Sequence, residues 1–251
     1  MSAILRTEML TRIFGGLTAV KDASLDFPMG VLHAVIGPNG AGKTTLINML
    51  SGDLKPSQGR ILYDGRVVSG LRADQLSLLG IGRSYQKTNI MLELPVLENV
   101  RLAAQSRLTR PMRFFTPAAR RLDLVEKARS ALARVGLTGR ETVEASALSH
   151  GEQRQLEIAM TLATEPRVML LDEPLAGMGP EETGRMVELL QGLTRDHAVV
   201  LVEHDMDVVF SVADTLTVMV NGQVLESGPP EQIRASRAVR EAYLGEDEID
   251  A

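Results

Sequence analysis

The sequence predicts an α/β fold with a parallel-sheet core, a small antiparallel sheet and an inserted helical segment. Two runs, Val168–Leu171 and Ala198–Val202, are continuously apolar and alternate with helical patterns, as buried strands of a parallel sheet do. A third apolar run, from Val31 to Ile36, leads directly into a glycine-rich turn. Strand followed by glycine turn and helix is the local arrangement expected at the functional edge of such a sheet.

The antiparallel sheet is predicted from the N-terminal region. Short strands are expected at Ile4–Met9 and Ala23–Phe27, ahead of the glycine-rich turn. Arg60–Tyr63 is followed by Asp64-Gly65 and then Val67–Val68, which is the pattern of a hairpin.

Helical patterns occupy much of the remaining chain. They extend from Val96 to Val135, where Gly136 is a suitable stop, and recur later in two groups of apolar residues. These groups are Leu156, Ala159, Met160 and Ala163, and Met186, Leu189, Leu190 and Leu193. Asn221-Gly222 predicts a second hairpin. We therefore expect a core formed by residues 1–87 and 161–228, a helical insertion at 88–160, and helices with an acidic tail at 229–251.

Composition limits the functional classes. The 251 residues are 44% hydrophobic, enough for one sizeable core, and no stretch approaches eighteen consecutive apolar residues. The N-terminal residues lack an export pattern, and the absence of cysteine excludes disulfides and thiolate metal sites and fits a reducing compartment. A net charge of −5 argues against nucleic acid as the default partner.

Charge is unevenly distributed along the chain. Residues 101–140 contain ten Lys or Arg against two acidic residues, a balance of +8, so the remainder carries −13. Either this region is a set of solvated helical faces, or it faces an anionic surface such as a membrane leaflet.

The glycine-rich turn reads G-x-x-x-x-G-K-T, the pattern of a phosphate-binding loop. Its backbone N–H groups are expected to surround phosphate oxygens, with Lys43 facing the outer phosphates and the Thr44 hydroxyl a ligand for Mg²⁺. The pattern therefore predicts a P-loop NTPase that binds a nucleoside triphosphate. The candidate nucleotide-binding residues here are Gly37, Pro38, Asn39, Gly40, Ala41, Gly42, Lys43, Thr44 and Thr45.

Acidic residues follow the first late strand. Asp172 and Glu173 should lie near the phosphate loop, because open parallel sheets place ligands at the carboxyl ends of their strands. Asp172 could hold Mg²⁺ and Glu173 could orient or deprotonate an attacking water, although a helix-capping acid is the alternative.

A histidine follows the second late strand, in Glu203-His204-Asp205. If the two strands are neighbours, His204 reaches the γ-phosphate region and can donate a hydrogen bond there. His33 and His197 have no such placement and are predicted to be structural.

The segment Leu148 to Gln153 reads L-S-H-G-E-Q and precedes a predicted helix. Ser149 and Glu152 have the spacing of a capping box, so an ordinary helix start is one interpretation. A phosphate-binding helix N-terminus, with Gly151 allowing close approach, is the other.

These motifs together resemble the ATP-binding cassette (ABC) family. The set is G-P-N-G-A-G-K-T, Tyr85-Gln86, L-S-H-G-E-Q, L-L-D-E-P and Glu203-His204-Asp205, in family order over nearly the whole chain. The resemblance implies a RecA-like core and head-to-tail pairing of two cassettes around ATP and Mg²⁺.

The resemblance also implies residue roles. Ser149, Gly151 and Glu152 would contact the partner's nucleotide. Gln86 would contact Mg²⁺ and the water and relay motion from a membrane partner. Glu173 would be the catalytic base, and His204 the switch histidine.

Two positions leave questions open. Phe14 lies where the family places a ring that stacks on adenine, but core packing is an equal alternative. The family commonly has S-A-L-D after the Glu-Pro pair, whereas this chain reads Leu175-Ala176-Gly177-Met178-Gly179, so the usual loop aspartate is absent.

Three features resemble ATPase subunits of branched-chain amino-acid importers. They are Leu175-Ala176-Gly177-Met178 after the Glu-Pro pair, the His in L-S-H-G-E-Q, and the closing P-E-Q-I-R…A-Y-L-G. The ATPase subunits of urea or short-chain amide importers have almost the same motifs. The implied partners are a second cassette, integral membrane permease subunits and indirectly a solute-binding protein, at the cytoplasmic face of the membrane.

Two other classes of nucleotide-binding protein fit the sequence less well. A soluble ABC ATPase of DNA repair or translation is disfavoured, because the chain has one phosphate loop and no sustained heptads. A P-loop GTPase or kinase is disfavoured by the absence of an N-K-x-D motif.

Overall fold

A computed structural model describes residues 3–85, 89–107 and 122–244 of the chain, with side chains to residue 242 in the last range. Its N-terminal part forms an antiparallel sheet in the order β2-β1-β5-β6, with β3 paired to β1. The strands are β1 (Ala3–Phe14), β2 (Leu17–Ala23), β3 (Asp26–Pro28), β5 (Gln58–Tyr63) and β6 (Arg66–Val67). The predicted antiparallel sheet and its Asp64-Gly65 hairpin are confirmed.

The predicted strand Ala23–Phe27 is wrong. β2 ends at Ala23 and β3 begins at Asp26, and both pair with β1. The backbone between β2 and β3 does not continue the regular ladder with β1. Leu25 N, for example, donates to the Thr7 hydroxyl at 2.9 Å. β1 also extends beyond its predicted end, because it pairs with β2 after a bulge.

The central sheet has six strands in the order β11-β10-β4-β9-β8-β7. All neighbours are parallel except the β10–β11 hairpin. The strands are β4 (Leu32–Ile36), β7 (Ile81–Ser84), β8 (Val168–Asp172), β9 (Ala198–Val202), β10 (Thr215–Val220) and β11 (Gln223–Gly228). The predicted parallel core and the Asn221-Gly222 hairpin are therefore confirmed.

Nine helices occur in the described part of the chain, and none of them is long and apolar enough to cross a membrane. They are α1 (Lys43–Leu50), α2 (Ala73–Leu79), α3 (Val96–Gln105), α4 (Leu122–Arg134), α5 (His150–Leu162), α6 (Pro180–Leu193), α7 (Met206–Val212), α8 (Pro230–Ala235) and α9 (Arg237–Leu244). Helices α3, α4 and α5 pack on one another. α4 ends at Arg134, just before Gly136, whose φ of 79° suits a helix stop.

Two hydrophobic cores cover the faces of the central sheet. On one face Leu171 and Leu201 pack with residues of α3 to α7, and on the other Leu170 and Val200 pack with α1 and the antiparallel sheet. Alternate residues of each strand point to opposite faces, so every side chain of β8 and β9 is buried. This explains why these strands read as continuous apolar runs. The layers hold the carboxyl ends of β4, β8 and β9 at one edge.

Candidate nucleotide-binding and hydrolysis site

The phosphate loop follows β4 and depends on glycine at two points of close approach. Gly37 has a φ of 154°, and a Cβ there would lie 2.2 Å from the Met219 carbonyl oxygen. Gly42 has a φ of 100°, and its Cβ would lie 2.4 Å from the Ala19 carbonyl oxygen. Any side chain at either position would displace backbone. The loop is therefore held between β10 and the antiparallel sheet.

Lys43 begins α1 and folds back over the loop. Its Nζ donates to the carbonyl oxygens of Gly37 at 2.6 Å and Pro38 at 3.1 Å. Burial lowers the pKa of Lys43, while the negative charges of Glu173 and Asp172 oppose that change. The ammonium thus lies against the loop, held by the carbonyl oxygens of the loop itself.

A cleft of about 340 Å³ opens beside the loop. The phosphate-loop residues from Asn39 to Thr45 line it together with Glu173. Its other wall is formed by residues that the sequence analysis did not select. These are Leu17, Thr18, Ala19, Asn221 and Gly222. Gly222 N donates to the Ala41 carbonyl oxygen at 3.1 Å, which fixes the β10–β11 turn to the loop.

Asp172 and Glu173 stand at the carboxyl end of β8, as predicted from the sequence. Asp172 is buried, and Glu173 adopts a left-handed backbone conformation with a φ of 49°. Such a conformation costs a residue with a Cβ about 1 kcal/mol. It turns the chain so that Glu173 faces the cleft while its N–H donates to Val202 O at 2.9 Å.

Arg83 at the end of β7 is a site residue that sequence reasoning missed. Its guanidinium contacts the buried Asp172 carboxylate at 3.0 Å and the Asp53 carboxylate at 2.8 Å. Burial raises the pKa of Asp172, and Arg83 opposes this change. Arg83 therefore favours the ionised form of Asp172, the form that binds a cation. No motif marks Arg83, because its role depends on the pairing of β7 with β8.

His204 follows β9, which is the direct neighbour of β8. Its side chain is 63% exposed and is absent from the residues that line the cleft. The preceding Glu203 is buried and accepts hydrogen bonds from Leu175 N at 3.0 Å and His204 N at 3.2 Å. Burial raises the pKa of Glu203, and these two N–H groups oppose the change. The sequence did not predict this role of Glu203. Through its hydrogen bond with Leu175 N, Glu203 holds the segment after Glu173 at the end of β9.

Ser149 is the N-cap of α5 and forms the predicted capping box with Glu152. Its hydroxyl accepts from Glu152 N at 3.2 Å, and the Glu152 carboxylate accepts from Ser149 N at 2.9 Å. Ser149, Gly151 and Glu152 line a separate cavity of about 580 Å³, which shares no lining residue with the nucleotide cleft. The Arg140 guanidinium pairs with Glu152 at 2.9 Å.

Gln86 lies outside the described residues, as do four of the basic residues counted in the helical insertion: Arg110, Arg113, Arg120 and Arg121. Tyr85, immediately before Gln86, is held by α5. Its backbone N–H donates to the Glu157 carboxylate at 2.9 Å, and its carbonyl oxygen accepts from Arg154 at 2.9 Å.

Phe14 is 43% exposed, so the core-packing alternative for this ring is wrong. The Arg12 guanidinium lies 4.5 Å from the ring centroid. The structure does not place Phe14 among the residues that line the cleft. His33 and His197, by contrast, are buried within the protein, consistent with the structural role predicted for them.

The donor set near the cleft suits a magnesium ion carried by a nucleotide. The Thr44 hydroxyl and the Asp172 carboxylate are hard oxygen ligands, of the kind that Mg²⁺ binds with phosphate oxygens and water. Among the described residues, no group of three or more His, Cys, Asp or Glu side chains forms a metal cage.

Comparison with known proteins identifies the family. A profile described as "ABC transporter" matches residues 20–176, and one described as "Branched-chain amino acid ATP-binding cassette transporter" matches residues 223–249. The chain is 39% identical to the high-affinity branched-chain amino acid transport ATP-binding protein LivG of Salmonella typhimurium, over 93% of this chain and 94% of that protein. It is 40% identical to BraF of Pseudomonas aeruginosa, a protein described in the same words, over 97% and 98% of the two chains.

A solved structure agrees with the fold. The ADP conformation of MJ1267, an ATP-binding cassette of an ABC transporter, superposes with a TM-score of 0.88 at 30% identity. The superposition covers 98% of this chain and 100% of that one. The chain belongs to the ABC transporter family and is an ATP-binding, ATP-hydrolysing subunit of a transporter.

Proposed function

We propose that this cassette energises the uptake of branched-chain or other hydrophobic amino acids. Two findings support this substrate class: relatives with that printed function match nearly the whole chain, and the branched-chain profile matches its C-terminal segment. In this proposal the chain pairs with a second cassette, binds permease subunits at the cytoplasmic face of the membrane, and serves a solute-binding protein indirectly. Import of urea or short-chain amides is the alternative.

The arrangement of the two cavities carries the proposed mechanism. The cleft at Lys43 and Glu173 and the cavity at Ser149 and Gly151 are separate within one chain. In this proposal one chain offers two different half-sites. Head-to-tail pairing of two chains would place the cleft of each chain against the Ser149 cavity of the other, which forms two composite sites. ATP held in both composite sites would join the cassettes, and loss of phosphate would release them. Since a ligand shifts an equilibrium only by its differential affinity, ATP would favour the closed pair.

Each candidate site residue has a proposed part in nucleotide binding or hydrolysis. The loop amides and Lys43 would hold the outer phosphates. Thr44, Asp172 and Gln86 would hold Mg²⁺, which when bound would neutralise developing phosphate charge. Glu173 accepts a proton from the attacking water, and Glu203 maintains its loop. His204 senses the γ-phosphate, and Phe14 stacks on adenine. The core 1–87 and 161–228 carries these groups, with the insertion 88–160 and the C-terminal segment 229–251 serving partner contacts.

Glu173→Gln tests the assignment of the base. The variant should bind ATP, hydrolyse it roughly 100-fold more slowly or worse, and form an ATP-dependent dimer. Glu181→Gln is the matched control, because Glu181 is an exposed acid in the first turn of α6. Normal turnover by Glu173→Gln would disprove the proposed role of Glu173.

Uptake assays test the substrate class. In cells whose own copy has been removed, the wild-type chain should restore uptake of labelled leucine, isoleucine or valine, and Glu173→Gln should not. Restored uptake of urea or acetamide, with no change for the amino acids, would favour the alternative.

A further inference from the structure

The N-terminus of α5 already holds an anion from its own chain. The Ser149 hydroxyl donates to Oε1 of Glu182, with 3.1 Å between the two oxygens. An added Cβ at Gly151 would lie 2.7 Å from the same carboxylate oxygen, so the carboxylate lies directly against Gly151. A helix N-terminus with a hydroxyl and free amides is suited to phosphate, and here a carboxylate takes that position.

Glu182 belongs to a different helix. It lies in the first turn of α6, and its Oε2 accepts from Gly179 N at 3.4 Å. The Ser149 hydroxyl, then the amides of Gly179 and Gly151, lower the pKa of Glu182, so the group is a carboxylate at neutral pH. One negative charge is therefore shared by the starts of α5 and α6.

We infer that Glu182 is an intramolecular substitute for the γ-phosphate that the second cassette presents to Ser149 and Gly151. This inference rests on the proposed composite site. The carboxylate and the phosphate need the same donors and repel each other, so both cannot occupy the N-terminus of α5. Closure of the dimer thus requires the Glu182 side chain to leave Ser149.

A second contact joins the same two segments. Gly177 packs against the His150 ring, since a Cβ at Gly177 would lie 3.5 Å from His150 Cε1. The segment from Gly177 to Glu182 follows Glu173 by only a few residues. Displacement of Glu182 therefore loosens the attachment of α5 to the loop that carries the base. Arrival of the partner's phosphate would be communicated to the chain's own cleft by this route, in a protein that lacks the usual loop aspartate.

The alternative is that Glu182 only caps α6. Glu182→Gln distinguishes the two roles, because glutamine keeps a carbonyl acceptor for Gly179 and Ser149 but removes the charge that competes with phosphate. Glu181→Gln removes the same charge from the same helical turn without touching Ser149, since Glu181 pairs with Arg185 on the surface.

The experiment measures dimerisation against ATP concentration in the Glu173→Gln background, by light scattering. Adding Glu182→Gln should lower the ATP concentration at half-dimerisation roughly three- to tenfold, since a small exposed-charge effect acts at both sites. Adding Glu181→Gln should change it less than about twofold. ATP affinity of the isolated monomer should be the same in all three proteins. Glu182→Gln should lower the denaturation midpoint slightly, because the amide keeps an acceptor for Ser149 and Gly179 but loses the charge that the folded state favours.

Three results would count against the inference. If Glu182→Gln raises the ATP requirement, or matches Glu181→Gln, Glu182 is not a competitor of phosphate, while the composite site stands. If the Glu173→Gln parent itself fails to dimerise with ATP, the proposed composite site fails, and the inference fails with it.

Discussion

The Glu157 carboxylate of α5 accepts a hydrogen bond from the backbone N–H of Tyr85, the residue before Gln86, at 2.9 Å. Arg154, one turn earlier, pairs with Glu157 at 2.9 Å and donates to the Tyr85 carbonyl oxygen. Both side chains are about 7% exposed, so the pair is buried between the central sheet and the helical insertion. The backbone leading to Gln86 is thus fixed to α5, the helix that Ser149 caps.

Glu157→Ala should destabilise the protein by roughly 3–5 kcal/mol, because it removes a buried carboxylate that pairs with Arg154 and accepts from Tyr85 N–H. Glu157→Gln should cost less, since an amide oxygen can still accept from Tyr85 N–H. Urea denaturation measures both. Glu188→Ala, at an exposed position of α6, is the control and should stay within about 0.5 kcal/mol of wild type. Equal effects of Glu157→Ala and Glu188→Ala would contradict this assignment.

Arg83→Ala should also be strongly destabilising, by roughly 3–5 kcal/mol, because Asp172 would remain buried without its cation. The comparison is Arg6→Ala, which breaks an exposed pair with Asp26 and should cost far less, because solvent screens exposed charges. Denaturant midpoints of the two variants measure the difference. If they coincide, Arg83 does not stabilise the Asp172 carboxylate.

Gly37→Ala should damage the protein far more than Gly40→Ala. The added methyl at residue 37 would meet the Met219 carbonyl, whereas at Gly40 no atom lies within 4 Å. Gly40→Ala therefore bears only the left-handed backbone penalty of about 1 kcal/mol. Thermal unfolding together with binding of a fluorescent ATP analogue measures the two effects. Similar stabilities would show that the loop moves freely away from β10.

Two buried histidines should make the protein less stable in mild acid. Burial lowers the pKa of His33 to about 4. Burial also lowers the pKa of His197, whose ring nitrogens form hydrogen bonds with Pro166 O and the Arg134 guanidinium. An unfolded histidine titrates near 6.5, so below that pH the unfolded chain binds protons that the folded chain refuses. Stability is complete above about pH 6.5 and falls as the pH drops toward 4.

For His33 alone the loss should reach roughly 1 kcal/mol by pH 5.5. Urea unfolding between pH 7.5 and 5.5 measures it, and His33→Gln should flatten the dependence in that interval even though it loses the contact with Thr217. An unchanged slope in the variant would mean that His33 takes up its proton over the same pH range in the folded and unfolded states.

The sequence predicted those features whose signal is local. Apolar runs located β4, β8 and β9, and fixed spacings located Lys43, Glu173 and the capping box at Ser149. Pairings distant in sequence were not predictable in this way. Arg83 and Glu203 gain their partners from neighbouring strands, and Asn221 reaches the cleft only because β10 lies beside β4.

The misassigned strand Ala23–Phe27 has a similar origin. Its residues have suitable strand character, but Met9 of β1, opposite this segment, has a φ of 48°, and its N–H donates to the Ser24 hydroxyl at 2.9 Å instead of to backbone. This irregularity lies in the partner strand, so residue preference in the segment itself does not report it.

The close approach of Gly37 to Met219 also has a consequence for biosynthesis. The phosphate loop is supported on one side by β10, which begins at Thr215 and so follows the loop by a long stretch of chain. During synthesis, the glycine motif therefore emerges well before the strand that holds it in shape. A nascent cassette should bind nucleotide only after translation has passed β10, so shorter chains should neither sequester ATP nor engage a partner.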